Sequence, residues 1–249
     1  MAKNTKRMKI GYSGFMALCV LVIACVLVVL FVGGQNRLDN VEVYCVNGDL
    51  TALQKDEIIR FSTLKMGAQI NAISDIEGEV RAGVNATGFA KFENIERVMK
   101  GTIRLTVSVR KPLCVVQAGG YYVLIDDDGM VMDVFSHLPQ ESYVCVTGAD
   151  ISNYSKGKTL VLRKENQLED IIRIASGIRN LGLEGTYSEF NVKDQKAIYL
   201  VTTTNQMIEI FDGMNIEQTL QMVQEIIASG RTKGKIIVSG NYAVYDSDE

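Results

Sequence analysis

The sequence predicts an α+β protein with an N-terminal transmembrane helix, and three observations carry that prediction. An unbroken apolar run, Phe15 to Val32, follows a short basic tail. The next stretch reads strand, helix, helix, strand, strand from its alternation and spacing. The last reads as a hairpin and short strands, a helix, a strand meander, a second helix and a closing strand pair, which makes a second α+β unit with a mostly antiparallel sheet.

At about 1.5 Å per residue, the run and its flanks Tyr12 to Gly14 and Gly33-Gly34 reach across a hydrocarbon core of about 30 Å. Lys3, Lys6, Arg7 and Lys9 precede the run with no acidic residue among them, and the first charges after it are Arg37 and Asp39. The excess of positive charge places the tail, residues 1–12, in the cytoplasm, the helix at 13–34, and everything from about Gln35 outside the inner membrane as a single-pass protein. Two other readings stay open. Val32-Gly33-Gly34 offers small residues for signal-peptide cleavage, although signal cores usually span about 7 to 15 residues. Val22-Ile23-Ala24-Cys25 resembles a lipobox, although nonpolar residues continue from Val26 to Gly34. Beyond anchoring, the small residues Ala17, Cys19 and Ala24 would permit contact with another helix.

Of 26 Lys and Arg, four lie in the tail, leaving 22 against 29 Asp and Glu. That acidic balance argues against nucleic acid and anionic lipid as partners of the outer part. Cys45, Cys114 and Cys145 are an odd set for a disulfide framework and read as strand cysteines. With one histidine, His137, and no paired ligand spacing, a zinc site is not expected.

In the first unit, residues 38–112, Val41, Val43 and Cys45 alternate as a strand ending at Val46-Asn47-Gly48. A helix over Ala52 to Phe61 places Leu53, Ile58, Ile59 and Phe61 against Lys55-Asp56-Glu57. A second helix, Ser74 to Asn85, starts at a capping-box spacing, Ser74 and Glu77, and is weakened by Gly78 and Gly83. Strands Lys91 to Met99 and Thr102 to Val109 follow, turning at Lys100-Gly101.

In the second unit, residues 113–245, Tyr121 to Asp126 and Met130 to Met132 flank the turn Asp127-Asp128-Gly129. Tyr143 to Gly148 is an apolar strand, and Gln167 to Asn180 is an amphipathic helix with Leu168, Ile171, Ile172, Ala175 and Ile178 on one face. The meander is Ser188 to Val192, Ala197 to Thr202 and Met207 to Phe211, with turns at Lys193-Asp194-Gln195 and Thr204-Asn205-Gln206 and an end at Asp212-Gly213. Helix Ile216 to Ala228 is capped by Asn215. Lys235 to Ser239 and Tyr242 to Tyr245, joined at Gly240-Asn241, close the unit before an acidic tail, 246–249.

The element order of the first unit, with Val41-Glu-Val-Tyr-Cys-Val-Asn-Gly48 at its start and Arg110-Lys-Pro112 at its close, resembles a POTRA domain placed after a transmembrane helix. Together with Tyr121-Tyr-Val-Leu-Ile-Asp126, the acidic-Gly turn and Tyr143-Val-Cys-Val-Thr-Gly148, the arrangement resembles the FtsQ/DivIB family of bacterial cell-division proteins over about residues 38 to 245. The chain departs from that family's pattern at Gln218 and Gln221, where a lysine is often found, and at Ile236-Ile-Val-Ser239, which lacks the usual aspartate.

The resemblance implies a noncatalytic scaffold of the divisome, at the septum, that binds small single-pass coiled-coil division proteins of the FtsB/DivIC and FtsL kind. A septal peptidoglycan synthase is a further partner that it suggests. It implies partner binding through Val238, Ser239, Tyr242, Val244 and Tyr245, in a terminal strand able to accept a partner's strand. For each of these residues, completing the core is the competing reading. The POTRA-like unit implies a second docking surface whose residues stay unassigned.

Enzymatic strings are weak. Ser62-Thr-Leu-Lys65 fits the SxxK nucleophile motif but lacks SDN-like and KTG partners, and it falls at a helix end. Gly157-Lys158-Thr159 lacks the upstream glycine of a phosphate loop, and Asp126-Asp127-Asp128-Gly129 lacks a calcium loop's spacing. No nucleophile pairs with a base, so no catalytic residue, metal or cofactor is expected. The alternatives are a POTRA-type envelope assembly factor and an anchored cell-wall enzyme. The first is short of chain, since sixteen barrel strands of about 10 residues need about 160, and fewer than that follow Pro112.

Overall fold

The computed structural model describes residues 12–35, 37–99, 101–139, 143–194, 196–211, 215–231 and 234–247. The basic tail from Lys3 to Lys9 lies outside the described residues, as do Lys100, Gln195 and Asp212-Gly213 of the expected turns and the last two residues of the acidic tail.

The N-terminal helix α1 is Tyr12–Gln35. Among the described residues, no helix is long and apolar enough to cross a membrane. The transmembrane helix at 13–34 and the single-pass location built on it, with a cytoplasmic tail and an extracytoplasmic bulk, are therefore corrected. The α+β class itself holds, with five helices and many strands among the described residues.

The first unit consists of β1 (Asn40–Cys45), α2 (Ala52–Phe61), α3 (Ser74–Ala86), β2 (Ala90–Met99) and β3 (Thr102–Val109). Its sheet runs β1-β3-β2, with β1 parallel and β2 antiparallel to the central β3. Helix α2 starts at a reciprocal cap: Thr51 Oγ1 accepts from Gln54 N at 3.2 Å, and Gln54 Oε1 accepts from Thr51 N at 3.0 Å. The expected cap of α3 at Ser74 does not form. The backbone turn at Ala72 and Ile73 already accepts from Asp75, Ile76 and Glu77, so the cap position moves to Ile73 and the Ser74 hydroxyl turns to Asp75. Both helices lie on one sheet face, where Ile58, Val80, Val84, Leu105 and Val107 are fully buried. Each such side chain contributes about 1.5–3 kcal/mol when removed from water.

The second unit adds β4 (Pro112–Ala118), β5 (Tyr121–Asp126), β6 (Val131–Phe135), β7 (Cys145–Thr147), the small pair β8 (Ile151–Asn153) and β9 (Val161–Leu162), and α4 (Gln167–Asn180). It continues with β10 (Tyr187–Asn191), β11 (Ala197–Thr202), β12 (Met207–Phe211), α5 (Ile216–Ala228), β13 (Lys235–Ser239) and β14 (Tyr242–Asp246). Nine strands form one sheet in the order β14-β13-β12-β11-β10-β7-β4-β5-β6. Pairing is antiparallel except at β4–β7, β7–β10 and β12–β13.

The sequence pattern does not announce β4. Leu113, Cys114, Val115 and Val116 are buried in succession, so the segment shows no alternation. A strand enclosed on both faces reads as a plain apolar run, and a proline at its first position is tolerated there.

Helices α4 and α5 cover one face of the large sheet. Ile171, Ile174, Ile178, Leu220 and Val223 meet Val116, Leu200, Ile208, Ile236 and Val238 in one core. The two hydrophobic clusters share no residue: one ends at Val109 and the other begins at Leu113.

Candidate functional site

The closing strands owe their position to α5 and to one turn. Asn215 Oδ1 accepts from Gln218 N at 3.3 Å and starts α5, whose apolar face then buries Leu220 and Val223 over the sheet. Between β13 and β14, Gly240 takes φ of 57°. Positive φ at the first of two turn residues suits the twist of a tight hairpin, and glycine adopts it without strain.

The register pairs Ser239 with Tyr242 and Ile237 with Val244. In a two-residue hairpin the pair that flanks the loop exchanges both hydrogen bonds, and hydrogen-bonded pairs then alternate along the ladder. Ala243 and Tyr245 therefore turn their N–H and C=O groups away from β13. As β14 ends the sheet, no strand among the described residues pairs with that outer side.

The five expected contact residues divide between the two faces. Val238 is 1% exposed and belongs to the core beneath α5. Tyr245 is half-buried on the same side, with the Arg231 guanidinium 5.4 Å from its ring centroid. Ser239, Tyr242 and Val244 lie on the open face, where Tyr242 is 79% and Val244 59% exposed.

Neighbours on that face form a surface that short motifs do not reveal. Register places Tyr199, Glu209, Ile237 and Val244 in one cross-strand row and Phe211, Ser239 and Tyr242 in the next. Phe211 and Met207 are 37% and 46% exposed. The signal in the sequence is the alternation of Met207, Glu209 and Phe211, whose outward side becomes informative only once the register is known.

Glu209 lies between Lys235, with which it forms an ion pair, and Tyr199. The hydrogen bond from Lys235, then that from Tyr199, lowers the Glu209 pKa. Both partners are raised in turn, chiefly by their hydrogen bonds to Glu209. An acid–base pair thus stands within an otherwise apolar stretch of open sheet.

The other singled-out residues sit where ordinary structure needs them. Ser62 is the buried C-terminal cap of α2, and its hydroxyl donates to Ile59 O at 2.7 Å. Gly157 to Thr159 form a loop against β6, where Gly157 N donates to Val131 O and Val131 N to Lys158 O. His137 is exposed beyond β6, its Nδ1 3.3 Å from Ser136 Oγ. Cys45, Cys114 and Cys145 are free thiols on β1, β4 and β7, with Cys114 buried and the others half-buried.

Asp126, Asp127 and Asp128 bring carboxylate oxygens within 4.8 Å of one another, as a cation site would. However, Asp126 Oδ2 accepts from Arg110, and Asp126 Oδ1 accepts from the backbone N–H groups of Asp128 and Met130 at 3.0 and 2.8 Å. The buried aspartate is committed to shaping the hairpin turn. No protein-family model matches the chain, and no curated protein matches it in sequence.

Proposed function

We propose that this protein is a noncatalytic scaffold of the bacterial division machinery, docking small coiled-coil division proteins on β14 and linking them to septal peptidoglycan synthesis. The observation that carries the reading is the bare edge of β14, with Tyr242 and Val244 exposed beside it. The resemblance of the sequence to the FtsQ/DivIB family supports the same reading.

A partner strand laid along β14 would satisfy the outward groups of Ala243 and Tyr245. Each main-chain hydrogen bond adds a net of about 0.5–1.5 kcal/mol, so the ladder supplies affinity and side chains supply selection. On the open face the added strand would meet Tyr242 and Val244, an aromatic and a β-branched anchor.

Photo-crosslinking in dividing cells, from a probe at Tyr242 or Val244 with captured proteins identified by mass spectrometry, tests this reading. Capture of small coiled-coil division proteins is the expected result. Barrel proteins, glycan adducts or no adduct from either position would overturn it.

A further inference from the structure

The two units have separate cores, and buried polar contacts join them. Arg110 stands where β3 passes into β4 and is 6% exposed. Its Nε donates to Ala90 O at 3.2 Å and its Nη2 to Asn85 Oδ1 at 3.0 Å, both in the first unit. Its Nη1 donates to Asp126 of the second unit and lies 3.5 Å from Asp128 Oδ2. Lys91 of β2 reaches the same Asp128 oxygen at 2.6 Å. One guanidinium therefore joins the end of α3, the start of β2 and the β5–β6 turn.

Beside it the backbones touch. A Cβ on Gly157 would stand 2.4 Å from Ala86 Cα and 2.5 Å from Asn85 O, closer than real Cβ contacts come. The loop before β9 is thus seated directly on the end of α3.

Units joined by a short connector and a small polar interface are by default free to move. We propose that the connector Arg110-Lys111-Pro112 is a hinge held shut by Arg110, so that the three-stranded unit and the nine-stranded sheet act as one body only while the Arg110–Asp126 pair is made. The chemistry suits a latch. A planar guanidinium carries fixed donors in several directions and keeps its charge, so a single side chain can bind acceptors on both units at once. A buried pair adds little net stability compared with apolar packing, but removing one partner strands the other, which makes the closed state contingent on both. This inference concerns the joint alone and stands apart from the division reading.

The test uses the full chain with genetically encoded, click-attached spin labels at Lys55 on α2 and Glu225 on α5, both exposed. Double electron–electron resonance then reports the distance between the units. A single narrow distribution for the unaltered protein, broadened roughly twofold in Arg110→Met, is the expected result for a released joint. A broad distribution in the unaltered protein, or an equally narrow one in Arg110→Met, overturns the latch. Should Arg110→Met fail to fold, the near-isosteric Asp126→Asn, which removes the carboxylate that Arg110 pairs with, decides: a broadened distribution supports the proposal, and an unchanged one overturns it. Gly157→Ala, with Arg110 intact, is expected to shift the mean distance by wedging the contact open.

Discussion

Tyr242 faces Ser239 across the Gly240-Asn241 turn, and this pairing sets the direction of every main-chain group along the last strand. Ala243 sits at a position whose N–H points away from β13. Proline is tolerated on edge strands at such positions because it removes no ladder bond. Ala243→Pro is predicted to leave the urea midpoint nearly unchanged while lowering crosslinking yield from Tyr242 several-fold, as the loss of one net hydrogen bond of about 1 kcal/mol requires. Equal losses of binding and stability would mean that the β13–β14 ladder itself had been broken.

Two glycines in α3 make a sharper prediction about packing. A Cβ at Gly83 would lie 1.9 Å from the carbonyl oxygen of Phe61 and 2.7 Å from its carbon, so α3 crosses the end of α2 backbone to backbone. Gly78 has nothing within 4 Å of the same added atom. Gly83→Ala is therefore predicted to cost about 1–3 kcal/mol or more by overpacking. Gly78→Ala is predicted to gain up to about 1 kcal/mol by helix propensity. Urea unfolding of the two variants separates the effects.

The contrast also shows where the sequence was legible. Helices α2, α4 and α5 and strands β3, β11, β12 and β13 fall where their periodicity places them, because each has one covered and one open face. β4 was missed because burial on both faces erases alternation, and the cap of α3 shifted because a backbone turn had taken its donors. At the candidate site, the family resemblance points to Tyr242 and Val244, but that Val238 faces the core while Phe211 and Met207 face the open side depends on register across strands distant in sequence. Likewise, nothing near Arg110 in the chain announces Asp126, which becomes its partner only when the β5–β6 hairpin folds back on the joint.

Alkaline pH should weaken the fold through its thiols. Burial, with the charge of Glu189 adding to it, pushes the Cys145 pKa up to about 11, and burial raises that of Cys114 further still. The folded state then holds protons that the unfolded chain releases near its ordinary thiol pKa of about 8.5. Stability is fully present below that value and declines as pH rises toward 11 for Cys145, and beyond 11 for Cys114. Tyr187 adds to the decline at higher pH, its pKa raised to about 12 by burial despite a hydrogen bond from Gln224. Urea midpoints measured from pH 8 to 11 should fall, and Cys114→Ala/Cys145→Ala should flatten the slope. An unchanged slope in that double variant would remove the thiols from the account.

The buried pair at the joint also has an energetic signature. Arg110 and Asp126 side chains are 2% and 1% exposed, so deleting either leaves a buried charge without the opposite charge it pairs with there. Breaking such a pair from one side typically costs about 3–5 kcal/mol, whereas replacing both members with apolar groups is often close to neutral. Arg110→Met and Asp126→Leu are each predicted to lower stability by that order, and the double variant by clearly less than their sum. Since the two cores share no residue, losing the pair should also uncouple their unfolding, splitting one urea transition into two. Additive single-variant costs, or a transition that stays single in Arg110→Met, would show that the pair neither couples the units nor depends on its partner.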